Sequence, residues 1–474
     1  MTPAQRRVLV VAILATFIAF LDGTVVTVAL PAIARDLAGT GEQALVLQQW
    51  VVDAYLVTLG SLILVAGSLS DVYGRRRVLA AGLVGFAVAS AACAIAPTGA
   101  VLVAARAVQG VGGALLVPSS LAMIVSAFEG EAQGRAIGRW TAYSGIAGLI
   151  GPFVGGVLVD HLSWRWVFWI TVPAAVVTLL LLRGVAPGSV RTGRRIDTRG
   201  AVLAAVGLAG TVSALIEGER LGWTDWRVSV PLAVGVLGLA AFLVAERRAD
   251  DPMLPLRLFG ARNFAWGNAA TAAIYGALGF GGFIVTLFLQ QVAHYPATAA
   301  GLASLPVTLI MFGLSSRFGA LSGRYGPRLF MTAGPLVIAC GYLLLLSTDE
   351  RAFYWTQVLP GMLVFGLGLT MTVAPLTAAV LGSAPPADAG IASAVNNAVA
   401  RVAGLVVVAL AGVIVGGTLG VGSFHTALLV TAALFALGGL LSLVGIRNAP
   451  HVAPTVVPAA GAGAADRPGG APGV

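Results

Sequence analysis

Four ionisable side chains lie inside long apolar runs of this chain: Asp22, Asp53, Arg106 and Arg401. A charge at membrane depth is expensive, and where one persists it marks a partner or a path for an ion or substrate. If the run around Asp22 is a helix leaving the N-terminal side, Asp22 lies about 21 Å along it at a rise of about 1.5 Å per residue. That leaves about 9 Å of a hydrocarbon core of roughly 30 Å. Asp53 and Arg106 sit early in runs that return, about 9 Å deep from the far side by the same rise. The three groups therefore share one layer. A carboxylate in a low dielectric holds its proton more tightly, and a nearby guanidinium reverses that preference. Such a set suits a site that gains and loses a proton as its surroundings change. Two plainer readings stand beside it: a salt bridge that only ties helices together, and an Asp53 that faces the outer vestibule. Arg401 lies near mid-depth behind Asn396 and Asn397, with no acid in the last six runs to pair with it. It either binds an anionic or carbonyl-bearing substrate or anchors helix-end carbonyls.

Three local patterns accompany these charges. GSLSDVYGRRRVL (67–79) places Gly67, Asp71, Gly74 and Arg75 in a short loop. Its glycines permit a tight turn, and Asp71 can cap the next helix and pair with Arg75, a charge network able to lock one conformation. The bland alternative is a basic anchor on the membrane surface. The stretch GIAGLIGPFVGG (145–156) carries Gly148, Gly151, Pro152, Gly155 and Gly156. Small residues at four-residue spacing let helix backbones approach closely, and Pro152 bends the helix by removing a donor. GALSGRYGPRLF (319–330) repeats the first pattern weakly, with Gly323 in place of the acid. Duplicated halves are typical of transporters.

The elements that must hold these residues are membrane helices. Of 474 residues 58% are hydrophobic and 10% charged, against roughly 25% charged in soluble domains, and the mean hydropathy is +0.94. Runs long enough to span a bilayer fall near 8–30, 47–69, 77–97, 100–127, 137–159, 165–183, 200–217, 228–245, 264–291, 298–318, 328–346, 353–381, 389–416 and 424–446. The first begins behind Arg6 and Arg7 but has no cleavage site, so it reads as an uncleaved helix. All 28 basic residues are Arg. With the N-terminus in the cytoplasm, 21 of them fall in cytoplasmic loops and ends, five in outer loops, and Arg106 and Arg401 within helices. That bias places both termini inside and supports an even helix count. The net charge of +9 thus reflects orientation, and the scattered clusters do not form a nucleic-acid surface. Cys93 and Cys340 lie within apolar runs and form neither a disulfide framework nor a metal site. No paired His/Asp or Ser/Lys cluster of a membrane enzyme lies at depth: His161, His294, His425 and His451 fall in outer loops, at a helix edge or in the tail.

Together these motifs resemble the major facilitator superfamily, and within it the fourteen-helix drug:proton antiporters of the multidrug and quaternary-ammonium exporter type. LDGTVVTVALP (21–31) looks like that family's first-helix motif, 67–79 like its loop between helices two and three, and RAVQGVGG (106–113) like its fourth-helix motif. The stretch 145–156 is similar to its helix-five antiporter motif, WRWVFWITVP (164–173) to its sixth-helix signature, and NAVARVAG (397–404) to its thirteenth helix. The resemblance implies proton coupling through Asp22 and Arg106 and a conformational latch at Asp71 and Arg75. From the residues themselves, Asp53 joins the coupling set, Gly67 and Gly74 join the latch, and Gln109, Asn396, Asn397 and Arg401 are expected along a substrate cavity. Gly323 makes that latch one-sided, and the lack of late acids argues against dicationic substrates.

The expectation is an all-α integral membrane protein of the major facilitator fold with 14 transmembrane helices. It comprises a six-helix domain (1–183), a linker with two extra helices (184–263), a second six-helix domain (264–446) and a disordered cytoplasmic tail (447–474). It is expected in a bacterial inner membrane as a monomer, exporting amphipathic small molecules against protons, with no metal or cofactor beyond the proton gradient. The alternative is a carrier of the same fold that exports an endogenous metabolite, antibiotic or lipid.

Overall fold

The computed structural model describes residues 1–39, 42–128, 130–186, 197–249, 252, 254–383, 389–416 and 418–448. The regular structure among them is helical. In chain order the rods are α1 (Pro3–Leu37), α2 (Glu42–Tyr73), α3 (Arg75–Ala94), α4 (Gly99–Ala127), α5 (Gly130–His161), α6 (Trp166–Arg183), α7 (Thr198–Leu221) and α8 (Trp226–Arg248). After them come α9 (Arg262–Gln291), α10 (Ala297–Leu302 continued by Leu305–Tyr325), α11 (Pro327–Leu344), α12 (Tyr354–Leu381), α13 (Ala389–Ala409, continued by Ala411–Val415) and α14 (Val421–Gly445). Twelve segments among the described residues are long and apolar enough to cross a membrane. The other two rods, α5 with 32 residues and α13 with 21, are about 48 and 32 Å long at 1.5 Å per residue, so both reach across a bilayer by length. The expected tail beyond Asn448 lies outside the described residues.

The rods alternate in direction, and their ends form two sets of contacts. At the end that carries the termini, Gln5 Nε2 donates to the Ala127 carbonyl at 3.0 Å, Arg262 Nε to Gly445 at 3.0 Å and Arg328 Nε to Leu443 at 2.9 Å. At the opposite end, Trp164 Nε1 and Arg165 Nη1 donate to Asp36 at 3.0 and 2.8 Å, and Tyr295 donates to Ala352 at 2.5 Å.

Helix pairing repeats along the chain. In the first half α1 packs on α5 and α6, α4 on α2 and α3, and α3 on α6. In the second, α9 packs on α13 and α14, α12 on α10 and α11, and α11 on α14. An offset of eight rods turns the first set into the second, so the weak repeat in sequence is a full repeat in packing. Three seams join the halves: α1 against α9, α2 against α13, and α5 against α10. The repeat exchanges the last two. Rods α7 and α8 pack chiefly on each other, with α7 lying on α2 and α13.

The two repeated glycine motifs are not loops. Rod α2 stays helical through Tyr73, and one residue, Gly74, separates it from α3. Gly326 alone separates α10 from α11 in the same way. Their φ/ψ values of 90°/130° and 85°/155° lie where side chains are strongly disfavoured. Gly74→Ala and Gly326→Ala should each destabilise the bundle by about 1–3 kcal/mol. Thermal unfolding in detergent checks this, with Gly23→Ala as the neutral control, because a Cβ there meets nothing within 4 Å.

Candidate functional site

Rod α4 starts at Thr98, whose hydroxyl accepts the Val101 amide, and so presents Arg106 and Gln109 one turn apart on a single face. Rod α1 brings Asp22 to that face. Arg106 Nη1 donates to Asp22 Oδ2 and to Gln109 Oε1, each at 2.6 Å, and its Nε donates to the Val51 carbonyl at 2.9 Å. Gln109 Nε2 donates to Asp22 Oδ1 and to Ser90 Oγ, each at 2.8 Å. The Tyr55 ring covers the guanidinium at 4.4 Å. Asp22 and Gln109 are 0% exposed and Arg106 is 2% exposed, so bulk water does not share these bonds. Close approach of α2 makes the cluster possible: a Cβ on Gly110 would strike Thr58 and the Tyr55 carbonyl, and Thr58 Oγ1 donates to the Ala107 carbonyl at 2.8 Å.

Both Asp22 oxygens are thus occupied by charged or polar donors in a dry setting. Charge-assisted bonds of this kind are short and strong. Chemically, the cluster is a carboxylate held by one guanidinium and one amide. Gln109, expected along the substrate cavity, belongs to this cluster instead and is fully enclosed by it.

Asp53 shares the layer but not the cluster. Val51, Tyr55 and Thr58 mark the face of α2 that meets α4. Asp53 is on the other face, flanked by Gln49, Val57 and Gly60, and these touch α13. Gln49 Nε2 donates to the Val408 and Ala409 carbonyls at 3.1 and 3.0 Å. Val57 packs with Leu405 and Ala409, and Gly60 lies against Val402. Asp53 is 0% exposed, and neither carboxylate oxygen has a hydrogen-bond partner among the described residues. It therefore faces no vestibule in this conformation.

The helix-five stretch is a packing surface whose glycines are unequal. A Cβ on Gly151 would strike Thr24, one on Gly155 would meet the Val25 backbone at 3.0 Å, and one on Gly156 would overlap the backbone of Thr298 on α10. Gly301 on α10 in turn lies against the Pro152 carbonyl. Gly148 meets nothing within 4 Å. At the end of this seam, Asp160 accepts the Ala297 and Thr298 amides at 3.0 and 2.8 Å. Beside it Gln290 Nε2 donates to the Val28 carbonyl at 2.9 Å. Every hydrogen bond described between the halves lies toward this end, away from the termini.

Of the expected latch, Gly74 is the joint between α2 and α3 and Arg75 opens α3, while the surroundings of Gly67 and the Asp71 side chain lie outside the described residues. Nearby, Ser70 and Ser119 share a 2.6 Å hydrogen bond across α2 and α4. In the second half, Asn396 donates to Asn268 at 3.1 Å and Thr271 at 2.8 Å, so it ties α13 to α9. Asn397 is exposed. The Arg401 guanidinium lies 5.5 Å from the Phe20 ring centroid, reaching across from α13 to α1.

Sequence reasoning missed Gln49, Gln290 and Asp160. Amides and a carboxylate near helix ends look solvated in a linear scan; the pairing of the halves buries Gln49 and Gln290 and gives the still exposed Asp160 two backbone amides to accept.

Removing one partner of a buried ion pair leaves the other uncompensated, at a cost of about 3–5 kcal/mol. Arg106→Ala and Asp22→Asn should therefore each lower the unfolding temperature in detergent, because Asp22→Asn keeps the shape of the acid but leaves the buried guanidinium without a counter-charge and sets an N–H where a carboxylate oxygen accepts. An Asp22→Asn protein as stable as the wild type would contradict the geometry.

Comparison with known proteins places this arrangement. The family model of the Major Facilitator Superfamily matches residues 12–408. The chain is similar to the multidrug resistance protein Stp of Mycobacterium tuberculosis (strain CDC 1551 / Oshkosh), 37% identical over 404 residues, covering 84% of this chain and 73% of that one. It is 38% identical over 409 residues to the puromycin resistance protein pur8 of Streptomyces alboniger, covering 85% and 80%. Among solved structures it resembles a D-xylose-proton symporter, with a TM-score of 0.68 at 16% identity over 93% of this chain and 98% of that one, which is a likeness of fold.

Proposed function

The chain belongs to the major facilitator superfamily, and on that premise we propose that it exports amphipathic small molecules, such as drugs, in exchange for protons. The observation that carries this reading is the buried Asp22–Arg106–Gln109 cluster. A transporter driven by protons needs a carboxylate whose proton affinity changes with conformation, and here a guanidinium holds one oxygen of the acid and the Gln109 amide holds the other. When α4 shifts against α1, Arg106 leaves Asp22 and the acid is ready to take a proton. When they meet again the proton is expelled. Export fits the names of the relatives, which are resistance proteins, and fits an apolar bundle that uses few charges. Gln109 positions the acid and Ser90 holds Gln109.

The distribution of Arg supports placing both termini in the cytoplasm of a bacterial inner membrane. The hydrogen-bonded end of the seams is then the outer one, and this conformation is closed to the outside. Gly74 and Arg75, with Asp71 and Gly67, are assigned to the opposite, cytoplasmic gate. Arg401 offers donors to cargo in the second half, with Asn396 and Asn397 near it on the same rod, which favours neutral or carbonyl-rich compounds over dications. We assign the energy source to the proton gradient with no bound cofactor, and the working unit to the monomer.

Everted membrane vesicles loaded with a pH indicator test the coupling with puromycin as cargo. Wild type should release protons on addition of cargo. In Asp22→Asn and in Arg106→Ala that release should fall at least about tenfold, the change that about 1.4 kcal/mol of barrier produces. Release at the wild-type rate in both variants would defeat the assignment.

A further inference from the structure

The two seams exchanged by the internal repeat end in opposite chemistry. Between α5 and α10 the carboxylate of Asp160 accepts two backbone amides across the seam. Between α2 and α13 the carboxylate of Asp53 is enclosed, with no donor on either oxygen among the described residues. The amides of Gln49 sit one turn away and are directed elsewhere, to Val408 and Ala409. Charged groups on the packed elements are engaged elsewhere too. Arg106 on α4 is committed to Asp22 and Gln109. Arg401 on α13 lies over Phe20. Glu217 on α7 accepts Trp50 Nε1 and pairs with Arg220. An ionised carboxylate cannot be held in such a place without a large cost, and it neutralises instead.

We infer that Asp53 enters the closed α2–α13 seam carrying a proton, and that loss of this proton forces the outer ends of the two halves apart. The seam closes over an uncharged acid, because Val57, Leu405 and Ala409 on either side give a carboxylate nothing to bond. Once ionised, Asp53 needs water, and only an opened seam admits it. The proton comes from the outer solution at closing and passes to the water that enters as the seam parts. Asp53 is thus a second proton site, separate from the Asp22–Arg106 pair, and its task is to set which face of the bundle is open. Rods α7 and α8 gain a role from this: Val212 and Ile216 of α7 join Val57 in the apolar wall beside the acid, so the inserted pair keeps lipid-side water from it. The inference rests on the proton-exchange reading above, but its test needs neither cargo nor gradient.

Spin labels at Gln43→Cys, on the outer start of α2, and Thr418→Cys, between α13 and α14, report the seam by pulsed dipolar spectroscopy in lipid nanodiscs. A Cys340→Ser background leaves only the buried Cys93. The full-length protein should show the short distance in acid and shift to a longer one as the pH rises. Asp53→Asn should stay short at every pH, and Asp53→Glu should keep a pH response, which separates a titrating group from a structural one. A wild-type protein without a pH shift, or an Asp53→Asn variant that shifts as wild type does, would overturn the inference. If the distance response depends on Asp53 while cargo-driven proton release is absent, the exchange reading fails instead.

Discussion

The Asp22–Arg106 pair sets the terms for the first half of the bundle. Two full charges at membrane depth hold together only if every lone pair and every N–H finds a partner. That requirement brings α1, α2, α3 and α4 to one point: Asp22 from α1, the Val51 carbonyl and Tyr55 ring from α2, Ser90 from α3, and Arg106 with Gln109 from α4. Small residues follow from it, since Gly110 gives α2 the room to deliver its carbonyl. The cluster is therefore glue, and under the proton-exchange proposal it is also the switch. A bond set strong enough to order four helices also resists the change that transport asks of it, and cargo or protons must supply the difference.

The seams between the halves use weaker chemistry. Gln49 and Gln290 donate to backbone carbonyls, and Asp160 accepts backbone amides. Bonds to the backbone tolerate side-chain variation on the partner helix and can break and re-form without stranding a charge. The interior of the first half is held by charge and close packing, whereas the boundary is held by replaceable hydrogen bonds and by glycine faces such as Gly156 against Thr298. Such a contrast in strength suits two halves that move as units.

Much of this was legible in the chain itself. Hydropathy and the Arg alternation located the rods, because a bilayer demands length and apolarity in ways a linear scan can count. Helical rise placed Asp22, Asp53 and Arg106 in one layer. It could not give azimuth, and azimuth separates Asp53 from the other two: Val51, Tyr55 and Thr58 share one face of α2, and Gln49, Val57 and Gly60 share the other. Gln109 read as a cavity residue because polarity in a membrane helix suggests contact with cargo, yet its amide is consumed within the cluster. The stretch 67–79 read as a loop because it is polar and glycine-bearing. In the fold it is helix up to Gly74, since Ser70 turns inward to Ser119 and the basic residues begin the next rod.

The one-residue joints at Gly74 and Gly326 bear on how force moves through the molecule. Two long rods that meet at a single residue behave like the arms of a bell crank. A tilt imposed on α2 at the α13 seam cannot be absorbed by a slack connection, so it swings α3, and α3 pulls on α6 and α4. The same holds for α10 and α11 in the second half. A tilt at one surface of the membrane would thereby be carried to the neighbouring rods, and the glycine that makes the joint would also be its bearing.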